Sequence, residues 1–199
     1  MKLLIATGNP GKFCEITQML AGLPCEWVSL RDFPHLKLPE ETGNSYAENA
    51  QAKAQSVAKQ TGLWTLADDS GLEVEALKGQ PGVRSARWAG EGATDRQNLE
   101  KLLQELRTFP QPRRAVFRCT LALASPQGEL HFFGGELWGE IGLAPRGQDG
   151  FGYDPIFVLP EPGCSLAEIS PREKNRLSHR AQAMDKLRRF LIPFFEKNH

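Results

Sequence analysis

"LLIATGNPGKFCEI" (residues 3–16) sets the class of the fold. Its apolar start reads as a strand over 2–6, and the chain then breaks at Thr7-Gly8-Asn9-Pro10-Gly11-Lys12. Beyond the break, Phe13, Ile16, Met19 and Leu20 recur at helical spacing. A strand that runs through glycines into a helix start presents free backbone N–H groups and the positive end of the helix dipole, an arrangement suited to phosphate. Lys12 adds a cation in the first turn, a place the dipole disfavours unless an anion lies nearby. The loop is not a Walker loop: Gly8 and Gly11 are too close, and Phe13 follows the lysine where a Mg²⁺-binding Ser or Thr would stand. On this loop alone, phosphate binding and a tight strand-to-helix turn with a solvated lysine are equally good readings.

Further along, strands and helices alternate. Ser45 to Gln60 reads as a helix with a Ser45/Glu48 capping box and a stripe of Tyr46, Ala50, Ala54 and Val57. "LWTLA" (63–67) reads as a strand halted by "DDSG", after which Leu72, Val74 and Ala76 alternate with acids as a half-exposed strand. A third helix starts near Thr94 with a Thr-x-x-Gln box. Residues 115–124 and 128–141 form an antiparallel pair turning at Ser125-Pro126-Gln127-Gly128, and "DPIFVL" is a further strand. Ser170-Pro171-Arg172-Glu173 opens a last helix with N-cap, N1 proline and capping glutamate in place. Alternation with an antiparallel middle implies an α/β fold with a mixed sheet, read here as a single domain over 1–199 made of two lobes with the site in the cleft between them.

Composition narrows the function classes. Lys and Arg total 24, and so do Asp and Glu, which leaves no global field to recruit nucleic acid or an anionic membrane. No apolar run reaches the roughly 20 residues of a membrane span, and the start of the chain fits no signal peptide. Cys14, Cys25, Cys119 and Cys164 are scattered without a Cys-x-x-Cys pair, which favours separate reduced core thiols and a cytoplasmic protein.

Besides the opening loop, three clusters and one doublet have chemical potential. Asp68-Asp69-Ser70-Gly71 puts two carboxylates and a hydroxyl at a strand end, suited to Mg²⁺ and to polarising a water; Asp-Ser-Gly is also ordinary turn chemistry. The glycine-rich run Gly147 to Pro155 holds Phe151 and Tyr153 on close-approach backbone, either to stack on a base or to plug the core. Lys174, Arg176, His179 and Arg180 share the last helix, where Arg180 falls on the apolar arc with Leu177, Ala181 and Met184 and therefore needs a carboxylate or a ligand. Glu40-Glu41 offers a second carboxylate source or is simply an acidic loop. Together these make a phosphate cradle, a metal carboxylate, a stacking ring and base-reading donors.

In order along the chain, "ATGNPGKFCEI", "PEETGNSYAENAQAKA", "LADDSGLEVEAL", "PGVRSARWAG", "GFGYDPIF" and "SHRAQAM" resemble the motifs of the inosine triphosphate pyrophosphatase family. The resemblance implies an elongated α/β fold, a homodimer, and Mg²⁺-dependent hydrolysis of non-standard purine triphosphates (ITP, dITP, XTP) to monophosphate and pyrophosphate. By motif, Thr7, Gly8, Asn9, Pro10, Gly11 and Lys12 would hold the triphosphate. Asp69 would be the general base and a metal ligand with Glu40, Glu41 being a competing register. Ser70 would touch substrate, Phe151 would stack on the purine with Gly152, Tyr153 and Asp154 completing its loop, and Lys174, His179 and Arg180 would read the base edge. Trp88 stands where a smaller aromatic is usual, and Cys14 lies in the first helix; both bear on specificity rather than on activity. The rival readings are a pyrophosphatase for another modified nucleotide and a nucleotide sensor without hydrolysis.

Overall fold

The computed structural model describes residues 2–197. Strand β1 (Lys2–Ile5) leads through the loop into α1 (Pro10–Met19), and the chain returns as β2 (Glu26–Ser29), α2 (Tyr46–Thr61) and the long β3 (Trp64–Val74). Helix α3 (Asp95–Leu106), the strands β4 (Arg114–Ala124), β5 (Leu130–Ile141) and β6 (Phe157–Val158), and helices α4 (Pro171–Leu177) and α5 (His179–Lys197) complete it. The sheet order is β2-β1-β3-β4-β5-β6. Strand β1 pairs parallel with β2 and β3, while β5 pairs antiparallel with β6. The expected mixed α/β sheet is therefore present.

The chain divides into two compact units. The first takes in the chain through Asp69, Cys119–Gly135 and the chain from Arg180 onward; the second takes in Ser70–Arg118 and Glu136–His179. In the first unit β1 is apolar on both faces, because helices cover both. Leu3 and Ile5 pack with Ile16 and Leu20 of α1 and Met184 and Leu187 of α5. Leu4, one residue out of phase, packs on the other face with Ala50, Ala54 and Ala58 of α2 and Ala67 and Ala122 of the sheet. The second unit is built on α3, whose Leu99, Leu102 and Leu106 meet Leu72, Phe117 and Phe157. Gly139 is required there, since a Cβ would stand 2.6 Å from the Phe157 ring.

Several helix starts follow their capping residues. Thr94 and Gln97 exchange backbone–side-chain bonds at the start of α3, and Ser170 and Glu173 do so at α4. At α2 only half of the expected box forms: Ser45 Oγ accepts from Glu48 N at 3.2 Å, but the Glu48 carboxylate reaches back to Asn44 N at 2.7 Å. The hairpin between β4 and β5 closes as expected, with Ser125 N donating to Glu129 O and Gly128 N to Ser125 O.

Four expectations need correction. "DDSG" does not halt a strand: β3 runs through it, because Asp68 and Asp69 are buried and paired rather than turned to water. "DPIFVL" yields a 3-10 turn at Asp154–Ile156 and only a two-residue strand. The last helix is two helices, broken at Ser178, whose backbone is extended (φ −65°, ψ 161°). Of the four free thiols only Cys119 is buried, its pKa pushed up to about 12 by that burial; Cys14 is exposed. Strand β2 was not anticipated, since four residues give periodicity little to work with. Among the described residues no helix is long and apolar enough to cross a membrane.

Leu102 is fully buried and Leu143 is 71 % exposed. Leu102→Ala should cost about 2–5 kcal/mol of unfolding free energy in urea titrations, and Leu143→Ala no more than about 0.5 kcal/mol.

Candidate active site

The opening loop is held by its own polar residues. Asn9 caps α1, its Oδ1 accepting from Lys12 N at 3.1 Å, and Asn9 N donates to Thr7 Oγ1 at 3.2 Å. Pro10 occupies the first helical turn, where a missing N–H costs nothing. Thr7, Gly8, Asn9 and Pro10 line a cavity of about 480 Å³ together with Ser29 and Arg31. The anion that Lys12 required is a carboxylate: Lys12 Nζ lies 3.0 Å from Asp68 Oδ2.

Asp68 and Asp69 are neighbours with opposite electrostatics. Asp68 is almost fully buried, and Arg180 Nη2 stands 3.4 Å from the oxygen that Lys12 also contacts. Burial pushes its pKa up, but the charges of Lys12, Arg180 and Lys53 outweigh this and hold it well below the ordinary range. Arg180 is itself buried and pairs with Glu15 as well. Asp69 accepts from Asn49 Nδ2 at 2.9 Å, and its pKa is raised: burial dominates and the Glu41 charge adds to it, against the opposing pull of Lys53 and the Asn49 bond. Asp68 is thus a fixed anion and Asp69 a proton acceptor poised nearer neutrality, a separation typical of acid–base sites.

Lys53 ties this group together. Its Nζ donates to Glu41 Oε1 at 2.6 Å and to the Asp68 carbonyl at 2.7 Å, and lies 3.8 Å from Asp69 Oδ1. Burial would discharge it, but Asp68, Asp69 and Glu41 hold its pKa above the ordinary value. Of the acidic doublet, Glu41 is therefore the member that joins Asp69, while Glu40 is exposed. Among the described residues no three His, Cys, Asp or Glu side chains form a ready metal cluster. Two carboxylates converging on one ammonium nevertheless fit a hard cation such as Mg²⁺, which uses one or two protein carboxylates and completes its shell with water and phosphate.

The second unit holds the aromatic loop. Asp154, buried, accepts from Phe151 N at 2.8 Å and from Lys174 Nζ at 2.7 Å. Lys174 is buried too, 4.4 Å from the centre of the Phe151 ring. Gly150, at φ +80°, leaves the room that Asp154 occupies, and Gly152 N donates to Asp95 Oδ2 at 2.8 Å. Tyr153 is core: its hydroxyl donates to the Ser85 carbonyl at 2.8 Å, and burial pushes its pKa up. His179 is buried and stacked on Phe117, centroids 4.8 Å apart and planes 11° apart. Arg176 is exposed, and Ser70 is half-buried on β3 directly after Asp69.

A family model described as the Ham1 family matches residues 3–190. The chain belongs to the Ham1 family. It is 51 % identical over 184 residues to the dITP/XTP pyrophosphatase of Geobacter sulfurreducens, covering 92 % of both chains. It is 47 % identical over 197 residues to that of Listeria monocytogenes, covering 98 % of this chain and 97 % of the relative. The solved HAM1 protein of Coxiella burnetii superposes with a TM-score of 0.89 at 41 % identity, over 96 % of this chain and 98 % of that one. The nucleoside-triphosphatase / dITP/XTP pyrophosphatase structure from Mycobacterium abscessus gives 0.77 at 44 % identity, over 94 % and 98 %. The resemblance carried by the sequence motifs is that of this Ham1 family.

Sequence reasoning passed over Asn49, Lys53 and Glu15 as site residues. Asn49 and Lys53 stand one helical turn apart in "ENAQAKA", each directly before a residue of the buried alanine stripe, and a polar pair flanking such a stripe was the available signal. Asp68→Asn in this Ham1 protein should lower stability by about 3–5 kcal/mol at pH 7, because it removes the carboxylate that Lys12 and buried Arg180 share and leaves Glu15 to balance Arg180. The wild-type contribution of Asp68 is complete above its unfolded pKa of 3.8 and is lost as pH falls through the lower native value. Urea titrations below pH 4 should show the variant's deficit shrinking as acidity rises.

Proposed function

We propose that this chain hydrolyses non-standard purine nucleoside triphosphates (ITP, dITP and XTP) to the monophosphate and pyrophosphate, using Mg²⁺. The observation that carries the reading is the Asp68–Asp69 pair, one carboxylate pinned as an anion and the next held toward neutrality beside a glycine loop at a helix start. The names of the most similar relatives supply the substrate class.

In this reading Asp69 takes a proton from water, the water oxygen bonds to the α-phosphorus, and the bond from that phosphorus to the bridging oxygen breaks to release pyrophosphate. Thr7 to Lys12 orient the triphosphate, and Lys12 offsets charge that develops on the departing oxygens. Asp69 and Glu41, with Glu40 adjacent, would hold the metal, which supplies Lewis-acid charge neutralisation at the phosphates. Lys174, His179 and Arg180 would read the base edge, Lys174 and Arg180 being held in place by Asp154 and Asp68. Phe151, whose ring has the Lys174 ammonium over it, would stack on the purine. Donors at the base edge favour a 6-oxo group over the 6-amino group of adenine, and guanine must be refused at its 2-amino group. A homodimer, implied by the family resemblance, and a cytoplasmic location, favoured by the scattered cysteines, complete the proposal.

Pyrophosphate release should occur from ITP, dITP and XTP with Mg²⁺, should be poor from ATP and GTP, and should stop with EDTA. Binding without release would move the reading to a sensor. Asp69→Asn should reduce kcat by about 10²- to 10⁴-fold with nucleotide binding retained, and wild-type turnover would remove Asp69 as the base. Phe151→Ala should raise the KM for XTP roughly 5- to 150-fold, the equivalent of one lost base stack of about 1–3 kcal/mol; an unchanged KM would remove Phe151 from the base site.

A further inference from the structure

We propose that Asn49 is a positioning residue for Asp69, and that its single amide fixes the carboxylate and the acidic loop to one another. The inference rests on the proposed role of Asp69. Asn49 lies in the first turns of α2 and is only 2 % exposed. Its Nδ2 donates to Asp69 Oδ2 at 2.9 Å, and its Oδ1 accepts from Gly43 N at 2.8 Å. A backbone N–H needs an acceptor and a carboxylate needs a donor, so only one orientation of the amide satisfies both ends. Gly43 lies two residues beyond Glu41, and its approach is intimate: a Cβ there would stand 2.6 Å from Asn49 Oδ1 and 2.8 Å from Glu48 Cβ.

The neutrality of the side chain is the chemical point. Lys53, one turn further along α2, also touches both the acidic loop and Asp69, but through a full positive charge that lowers the basicity of the carboxylate. An amide donor holds one oxygen in direction while costing the carboxylate far less of its proton affinity and of its attraction for a cation. Asn49 sets where Asp69 points, and Lys53 balances charge. A leucine has the same branched heavy-atom skeleton as asparagine, with bulkier methyl ends and neither hydrogen-bonding group, so Asn49→Leu removes both hydrogen bonds while keeping the site filled. Gly43→Ala disturbs the other end of the amide from a residue that does not touch Asp69.

The test compares wild type, Asn49→Leu and Gly43→Ala by three readouts: steady-state hydrolysis of XTP, Mn²⁺ titration of the nucleotide-free protein by electron paramagnetic resonance, and thermal unfolding to establish folding. Asn49→Leu should lose about 10- to 100-fold in Mn²⁺ affinity and a similar factor in kcat, with KM within about 3-fold of wild type. Gly43→Ala should move both quantities in the same direction by a smaller factor. A folded Asn49→Leu with wild-type kcat and wild-type Mn²⁺ affinity overturns the proposal. If Asn49→Leu does not fold, wild-type values for Gly43→Ala overturn it instead. A wild type that binds Mn²⁺ but releases no pyrophosphate would defeat the proposed function, and the Mn²⁺ titrations would still decide the role of Asn49.

Discussion

The burial of Asp68 is the constraint on which the first unit is organised. A carboxylate taken out of water costs several kcal/mol unless cations come with it, and here they arrive from distant parts of the chain. Lys12 comes from the first turn of α1, Arg180 from the start of α5, and the Lys53 ammonium reaches the backbone carbonyl of the same residue from α2. Three helices are thereby referenced to one residue of β3. The arrangement also explains why a lysine is tolerated at the positive end of α1: the charge it opposes is met by an anion supplied by the sheet.

The same network separates the duties of two adjacent acids. Along an extended strand Asp68 and Asp69 project in opposite directions and meet different partners. Asp68 receives two direct cation contacts and becomes a permanent charge. Asp69 receives an amide and a more distant ammonium, and stays basic enough to accept a proton. The two acids differ because their partners differ: cations surround one, and an amide holds the next.

The sequence was a good guide wherever the governing physics was local. Capping residues at Ser45, Thr94 and Ser170, the hairpin at Ser125 and the apolar stripes of α1 and α2 are all decided within a few residues, and the structure keeps them. It was a poor guide where a long-range partner overrode local preference. Asp-Asp-Ser-Gly has the composition of a turn, and only partners 15 to 112 residues away in the chain make it strand. Arg180 could be recognised as a cation on a buried face, whereas Glu15 as its partner could not, because the two are 165 residues apart. The pairing of Glu41 with Lys53 was hidden in the same way, since a loop has no periodicity and the two are 12 residues apart.

One feature of the core bears on how far the sequence can drift. Helix α2 is seated on the sheet through methyl groups, Ala50, Ala54 and Ala58 meeting Ala67, Ala122 and Ala124. Contacts of this kind have no rotamers with which to absorb an added carbon, so a larger residue moves the whole helix rather than one side chain. Asparagine has a short reach, and an ångström of helix translation would carry the Asn49 amide out of range of Asp69. The alanines under α2 act as shims that set the height of the Asn49 amide against Asp69. A larger residue at any of them would be felt in that alignment before it was felt in folding.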